Sequence, residues 1–180
     1  MVPKKFFFTK GVGVHKDKLR SFELALKEAK IAHFNIVQVS SILPPGCKKV
    51  SRDKGVPFLN PGEVVFCVMS RNETDEPNRQ ISASVGAAIP AGENHYGYIA
   101  EYHSFGEGAD TAGPYAEDLA ASMLASTLGM TFDPEQAWDY RKQAFKMSKK
   151  IVYTKNVTQV AKGNKDGFWT SVVAAVVFIP

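Results

Sequence analysis

One segment constrains the fold more than any other: a β-branched run that two prolines stop. Residues 36–39 favour a strand. Pro44 and Pro45 have no N–H, so a central strand cannot continue through them, and the glycine that follows permits a turn. The chain must therefore change direction directly after two hydroxyl-bearing residues, Ser40 and Ser41.

A serine pair in such a position has a definite chemistry. The Ser41 hydroxyl can add to the Ser40 carbonyl and convert the peptide into an ester. β-Elimination then releases a new C-terminus at Ser40, and residue 41 becomes dehydroalanine, which hydrolyses to a pyruvoyl group. The alternative is an ordinary loop, because turns are rich in Ser, Pro and Gly.

Composition predicts a globular protein. A length of 180 residues suits a single domain, 1–180, and 44% apolar with 22% charged residues is typical of a globular chain. The net charge is +4, but the basic residues occur as short pairs among acidic ones. We therefore expect no nucleic-acid partner.

Cysteine usage and apolar runs exclude other classes. Cys47 and Cys67 are 20 residues apart with no CxxC motif, so we expect neither a disulfide nor a metal site. The chain has no stretch of ~20 apolar residues that would cross a membrane. The apolar run at 6–8 is too short for a signal peptide, and the expected location is the cytoplasm.

Periodicity predicts an α+β fold, because strands outnumber helices and the helices fall in two groups. The two glycines within residues 11–14 predict a turn. We expect a surface loop at 44–62 and a second, polar turn at 71–79. The predicted helices span 15–30 and 114–129, and another begins at Asp133. The predicted strands are 5–10, 32–43, 64–70, 80–90, 96–104, 151–159 and 169–178.

Several of these segments, in order along nearly the whole chain, resemble one family. Residues 19–26 and 34–45 are similar to the pyruvoyl-dependent arginine decarboxylases. Residues 81–90 resemble the family's Ser/Ala-rich strand, 96–102 its Glu-Tyr strand, and 169–178 its closing apolar strand.

The resemblance implies a fold, an activity and an assembly. The fold is a layered αββα sandwich. The chain cleaves itself between Ser40 and Ser41 into 1–40 (the β chain) and 41–180 (the α chain), and Ser41 becomes the pyruvoyl cofactor. The activity is conversion of L-arginine to agmatine and CO2. Cleaved protomers form a homotrimer with sites at the subunit boundaries.

Two further residues are candidates for chemistry at the serine pair. Asn35 lies six residues before Ser41, and an even spacing along one strand would place both on one face. Its amide could stabilise an oxyanion on Ser40. Glu101 ends an apolar run, where burial would favour the protonated acid. The resemblance assigns self-processing to Asn35 and proton donation to Glu101, whereas both could also be ordinary surface residues.

Substrate recognition centres on Glu23. It lies at the border of the first predicted helix, where it could form a surface pair with Lys27 or take a guanidinium through paired hydrogen bonds. The resemblance places Glu23 and Ser40 in substrate binding. The family typically has Asp at position 23, which puts the fit of the substrate in question. His103 shares the predicted face of Glu101, and we interpret it as structural.

Three functions follow as hypotheses. The first is a self-cleaving arginine decarboxylase, and the second is a decarboxylase of another basic amino acid. The third is a relative that binds a small ligand and never cleaves. Against the third, Asn35, Ser40, Ser41 and Glu101 are all present.

The first prediction concerns the chain's own cleavage. The purified protein should yield pieces of 40 and 140 residues by intact mass. Ser41→Ala should remain whole, because no hydroxyl remains to attack the Ser40 carbonyl. A Ser41→Ala chain that still cleaves at this bond would show that Ser41 is not the nucleophile.

Overall fold

A computed structural model of the protein describes residues 1–92, 94–129 and 151–180. Within these residues the chain forms three α-helices, α1 (Lys18–Glu28), α2 (Arg52–Gly55) and α3 (Ala109–Thr127), and a 3-10 turn at Val56–Phe58. The strands are β1 (Lys5–His15), β2 (Asn35–Gln38), β3 (Ile42–Leu43), β4 (Lys48–Lys49), β5 (Val64–Thr74), β6 (Gln80–Pro90), β7 (Gly97–Phe105), β8 (Ile151–Lys162) and β9 (Trp169–Ile179).

The described strands form two sheets. The first sheet has the order β2-β5-β9-β1-β4, in which β9 pairs antiparallel with both of its neighbours while β2 and β4 join in parallel at the edges. The second sheet has the order β3-β7-β6-β8, and its pairs are antiparallel. Sequence neighbours β2 and β3 therefore belong to different sheets.

Strand β9 explains why its sequence is apolar without alternation. Its Val172, Ala174 and Val176 belong to a buried cluster with β6 and β7 of the second sheet. Its Val173 and Ala175 belong to another cluster, together with α1. A strand buried on both faces reads as a continuous apolar run, and this confirms the buried strand predicted at 169–178.

The two long helices cover different sheets. Helix α1 and its C-cap contribute Ala25 and Ala29 to the cluster on the first sheet, whereas α3 packs Ala120 and Leu124 against the second. The structure is thus a mixed α/β fold of two sheets and three helices, compatible with the predicted α+β sandwich. No helix among the described residues is long and apolar enough to cross a membrane.

The turn predicted at 11–14 is wrong, because β1 runs through it to His15. Gly11 and Gly13 serve close packing instead. A Cβ at either residue would lie 2.1 Å from a backbone carbonyl oxygen of α1, that of Ala25 for Gly11 and that of Ser21 for Gly13. These glycines let the helix backbone rest directly on the strand.

Other boundaries also differ from prediction. The strand predicted at 32–43 divides into β2 and β3, because the chain leaves one sheet for the other. The loop predicted at 44–62 contains β4 and α2, and β5 continues to Thr74 into the turn predicted at 71–79. The helix predicted from Asp133 lies outside the described residues.

Helix α3 starts earlier than its proline indicated. Proline favours the first turn of a helix, but α3 begins at Ala109, with Gly108 as its N-cap and Pro114 inside. Its neighbour Gly86 on β6 explains the close fit of helix to sheet. A Cβ at Gly86 would lie 2.2 Å from the backbone of Ala116.

Replacing Gly11 should therefore destabilise the folded protein. In Gly11→Ala the new methyl would collide with the Ala25 carbonyl, a backbone atom that moves only if α1 shifts. We expect at least about 2 kcal/mol of lost stability, measured by urea denaturation. Gly92→Ala is the control, because among the described residues its methyl would meet the end of a side chain, the His95 ring, and no backbone atom. Equal midpoints for the two variants would contradict the close packing of α1 on β1.

Candidate active site at the Ser40–Ser41 link

The serine pair forms the crossing between the two sheets. Before it, the Val39 N–H donates to the Cys67 carbonyl of β5 at 2.9 Å, so this side belongs to the first sheet. After it, the Ser41 carbonyl accepts from the Ile99 N–H of β7 at 2.7 Å, so that side belongs to the second sheet. The Ser40–Ser41 peptide is therefore held at both ends by separate strands.

The chain makes a tight turn at this crossing. The Ile42 N–H donates to the Ser40 carbonyl at 3.0 Å, which closes a three-residue γ-turn around Ser41. Ser41 is not among the residues with a positive φ, which besides glycines are Lys30 and Asn78 in the described chain. The turn is consequently of the inverse, common form.

Glu101 lies beside the crossing on β7. It follows Ile99 by two residues and shares its face of the strand, roughly 7 Å further along. Its side chain is exposed in the single chain, yet the surrounding protein removes enough water to raise the pKa of the Glu101 carboxyl above its usual range. The charge of His103 opposes this rise.

Cys67 lies near Glu101, and nothing in the sequence assigned it to the site. Burial, assisted by the negative charge of Glu101, raises the pKa of the Cys67 thiol to about 12. Its carbonyl meanwhile holds Val39. A thiol with such a pKa stays neutral at ordinary pH, so Cys67 is not a nucleophile here. It contributes an uncharged side chain next to Glu101 and a carbonyl that binds Val39.

An apolar cavity of about 520 Å³ opens next to Ser40. None of its lining residues, all of them in the described chain, is acidic, so it suits an aliphatic chain better than a cation. The lining comprises Met1, Val2, Pro3, Val39, Ser40, Ile42, Pro44, Pro45, Phe66 and Phe178. The contribution of the first three residues could not be foreseen from their sequence.

Asn35 does not reach the serine pair within one chain. It starts β2, and its side-chain amide donates to the Gly62 carbonyl at 2.7 Å. At roughly 3.3 Å per residue, the extended stretch from Asn35 to Val39 alone separates the two sites by more than about 10 Å. The even spacing that predicted a shared face does not apply, because the strand ends at Gln38 before the crossing.

Glu23 also lies elsewhere in the single chain. It belongs to α1, which covers the first sheet on the side away from the second. Its Oε1 pairs with Lys27 at 2.8 Å, and Arg20 Nη1 lies 3.0 Å from its Oε2. The hydrogen bond from Lys27 holds the pKa of Glu23 below its usual range, so the carboxylate is ionised. The predicted surface pair with Lys27 is confirmed.

A hydroxyl that follows a carbonyl held in a turn, with a carboxylic acid of raised pKa alongside, fits the class of enzymes that make a pyruvoyl group from their own chain. Comparison with known proteins agrees. The family model for pyruvoyl-dependent arginine decarboxylase matches residues 5–180. The chain belongs to this family, which confirms the resemblance inferred from the sequence.

Named relatives cover the same length. The chain is 57% identical to pyruvoyl-dependent arginine decarboxylase 2 of Methanosarcina mazei and 56% identical to a probable pyruvoyl-dependent arginine decarboxylase of Chloroherpeton thalassium. Each match spans 99% of this chain and 98% of the relative. A third relative, the pyruvoyl-dependent arginine decarboxylase of Methanococcoides burtonii, is 55% identical over 99% of both chains.

The acidity of Glu101 provides a prediction for this site. Because a protonated His103 favours the carboxylate, His103→Gln should raise the pKa of Glu101 further. The protonated acid would then persist to higher pH. The measurement is a carbon-13 NMR titration of the Glu101 carboxyl in both proteins. A midpoint that stays or falls in His103→Gln would remove His103 from the electrostatics of Glu101.

Proposed function

We propose that this protein cleaves itself between Ser40 and Ser41, converts Ser41 into a pyruvoyl group, and then decarboxylates L-arginine to agmatine and CO2. The observation that carries the proposal is the Ser40–Ser41 peptide, held at the crossing of two sheets with Glu101 beside it. Full-length family membership supports the same reaction.

In the proposed self-cleavage, Ser41 is both the nucleophile and the precursor of the cofactor. Ser40 provides the carbonyl that is attacked and becomes the C-terminus of the 40-residue piece, so 1–180 is one domain of two pieces. The backbone anchors at Val39 and Ser41 hold the reacting atoms in place during the attack. We assign Ser40 also to the substrate pocket, because it lines the apolar cavity.

In the proposed decarboxylation, a pyruvoyl group supplies a ketone that binds the substrate amine and withdraws electrons as CO2 leaves. The chain's own residues do the rest. Glu101 gives a proton to the substrate Cα, a role that its raised pKa favours because the acid remains protonated nearer neutral pH. The apolar cavity receives the aliphatic part of the substrate and keeps water away from it.

Recognition of the guanidinium and support of processing require a second chain. Glu23 and Asn35 lie apart from Ser41 in one protomer. We therefore propose a homotrimer of cleaved protomers, in which a neighbour brings Glu23 and Asn35 to each serine link. The exposed apolar residues Val37, Ile42 and Val64, which lie on or beside edge strand β2 and at the link, support contact with another copy.

We also propose that the layers follow the family's αββα order. The buried cluster shared by both sheets, with α1 packed on the first sheet and α3 on the second, supports this arrangement.

Glu101→Gln tests the proposed proton donor. The amide keeps the shape of the side chain and loses the acidic proton, so the variant should fold and cleave but release agmatine about 10²–10⁴-fold more slowly. The measurement is agmatine formed from arginine by protein whose cleavage intact mass has verified. Wild-type turnover by cleaved Glu101→Gln would remove Glu101 from the mechanism.

Glu23→Gln tests the substrate. Only a guanidinium offers a planar fork to a carboxylate, and a hydrogen bond to a charged group contributes about 1.5–3 kcal/mol. We expect kcat/KM for arginine to fall roughly ten- to a hundred-fold. Self-cleavage should not change, because Glu23 has no role in the attack on Ser40.

Lysine and ornithine are the matched comparison for this variant. The wild type should prefer arginine over both, and Glu23→Gln should reduce that preference. Equal kcat/KM for the three substrates in the wild type would show that Glu23 does not recognise the guanidinium group. Decarboxylation of another basic amino acid would then be the better description.

A further inference from the structure

The carbonyl that self-cleavage must attack already accepts a hydrogen bond. The Ile42 N–H lies 3.0 Å from the Ser40 oxygen, and the γ-turn around Ser41 brings the two together. This oxygen gains negative charge when the Ser41 hydroxyl adds to its carbon. An N–H aimed at such an oxygen is the defining feature of an oxyanion hole.

The arrangement is in place before the reaction begins. The Ile99 N–H holds the Ser41 carbonyl on one side, and the Cys67 carbonyl holds the Val39 N–H on the other. Neither end of the turn needs to move for Ile42 to face the Ser40 oxygen. A donor that is fixed beforehand stabilises the developing charge without reorganisation.

Within one chain, the side-chain amide of Asn35 that was expected in this role has another partner. Asn35 donates to the Gly62 carbonyl in the same chain, whereas the Ile42 N–H is adjacent to the reacting oxygen in every copy. The γ-turn hydrogen bond closes a small ring and is bent, so it is weak while the oxygen is neutral. It strengthens when the oxygen becomes charged, which is the differential stabilisation that accelerates a reaction.

We propose that the main-chain N–H of Ile42 is the oxyanion donor for self-cleavage. This inference rests on the proposed function. The Ser41 Oγ forms a bond to the Ser40 carbonyl carbon, and the carbonyl electron pair moves to the oxygen that faces Ile42. When the intermediate collapses, the C–N bond to Ser41 breaks and the hydroxyl proton ends on that nitrogen. The products are an ester and a free amine, with all atoms retained.

The chain offers a direct way to remove a single N–H. Cys47 follows Gly46, so a synthetic peptide of residues 1–46, activated as a thioester at Gly46, can be joined to recombinant 47–180. Two altered chains lack the donor but keep the isoleucine side chain. One carries the α-hydroxy acid analogue of isoleucine at position 42, which replaces N–H by oxygen, and the other carries N-methyl-isoleucine there.

Two controls accompany them. An all-amide chain made in the same way reports the effect of ligation and refolding. A chain with the α-hydroxy acid analogue of leucine at position 43 carries a backbone ester one residue later in β3 and retains the Ile42 N–H. Circular dichroism identifies the chains that have refolded.

The readout is the rate at which the Ser40–Ser41 bond opens, followed by intact mass in hydroxylamine, which captures the ester. Mass separates a cut after residue 40 from hydrolysis of an introduced ester. We expect refolded chains without the Ile42 N–H to cleave about 10²–10³-fold more slowly than the Leu43 ester control. If either altered chain cleaves at the control rate, the role of the Ile42 N–H is overturned while the proposed self-cleavage stands. An all-amide chain that never cleaves would overturn the proposed function as well.

Discussion

The passage of the chain from one sheet to the other at Ser40–Ser41 is the constraint on which the site depends. The first sheet holds the chain up to Val39 through Cys67, and the second holds it from Ser41 through Ile99. A peptide anchored on both sides has little freedom, because the anchoring residues Cys67 and Ile99 are themselves buried. This restriction positions a hydroxyl, a carbonyl and a backbone donor within one turn.

The sheets can serve as rigid anchors because small residues let each helix lie close to its strands. Gly11 and Gly13 accept the backbone of α1, and Gly86 accepts that of α3. Both sheets are thereby covered on their outer faces, and strands such as β9 are buried on both sides. Dense interiors of this kind resist deformation, which keeps Cys67 and Ile99 at a constant separation.

The distribution of the candidate residues has a consequence for assembly. Glu101 lies on β7, the strand that holds Ser41 in the same chain, whereas Glu23 and Asn35 project from other parts of the surface. The groups proposed for self-cleavage therefore lie within one chain, whereas the residue proposed to recognise the far end of the substrate does not. This division is consistent with a site completed between protomers.

The sequence by itself predicted most of the long elements and the candidate residues of the site. The apolar run of β9, the break at Pro44 and the serine pair before it could all be read from local preferences and chemistry. Family membership was evident from the order of the segments. Local patterns suffice for these features because strand propensity, proline sterics and hydroxyl reactivity are properties of short segments.

Only the tertiary structure decided how these parts meet. It showed that β2 and β3 lie in different sheets and that the Asn35 amide donates to Gly62. It also showed that Gly11 lies within a strand, where the backbone of α1 packs against it, and not in a turn. It also revealed Ile42 and Ile99 as backbone donors at the serine link. Every residue except proline has the same N–H, so no sequence pattern marks the one that faces the Ser40 carbonyl. Its partner is set by long-range strand pairing.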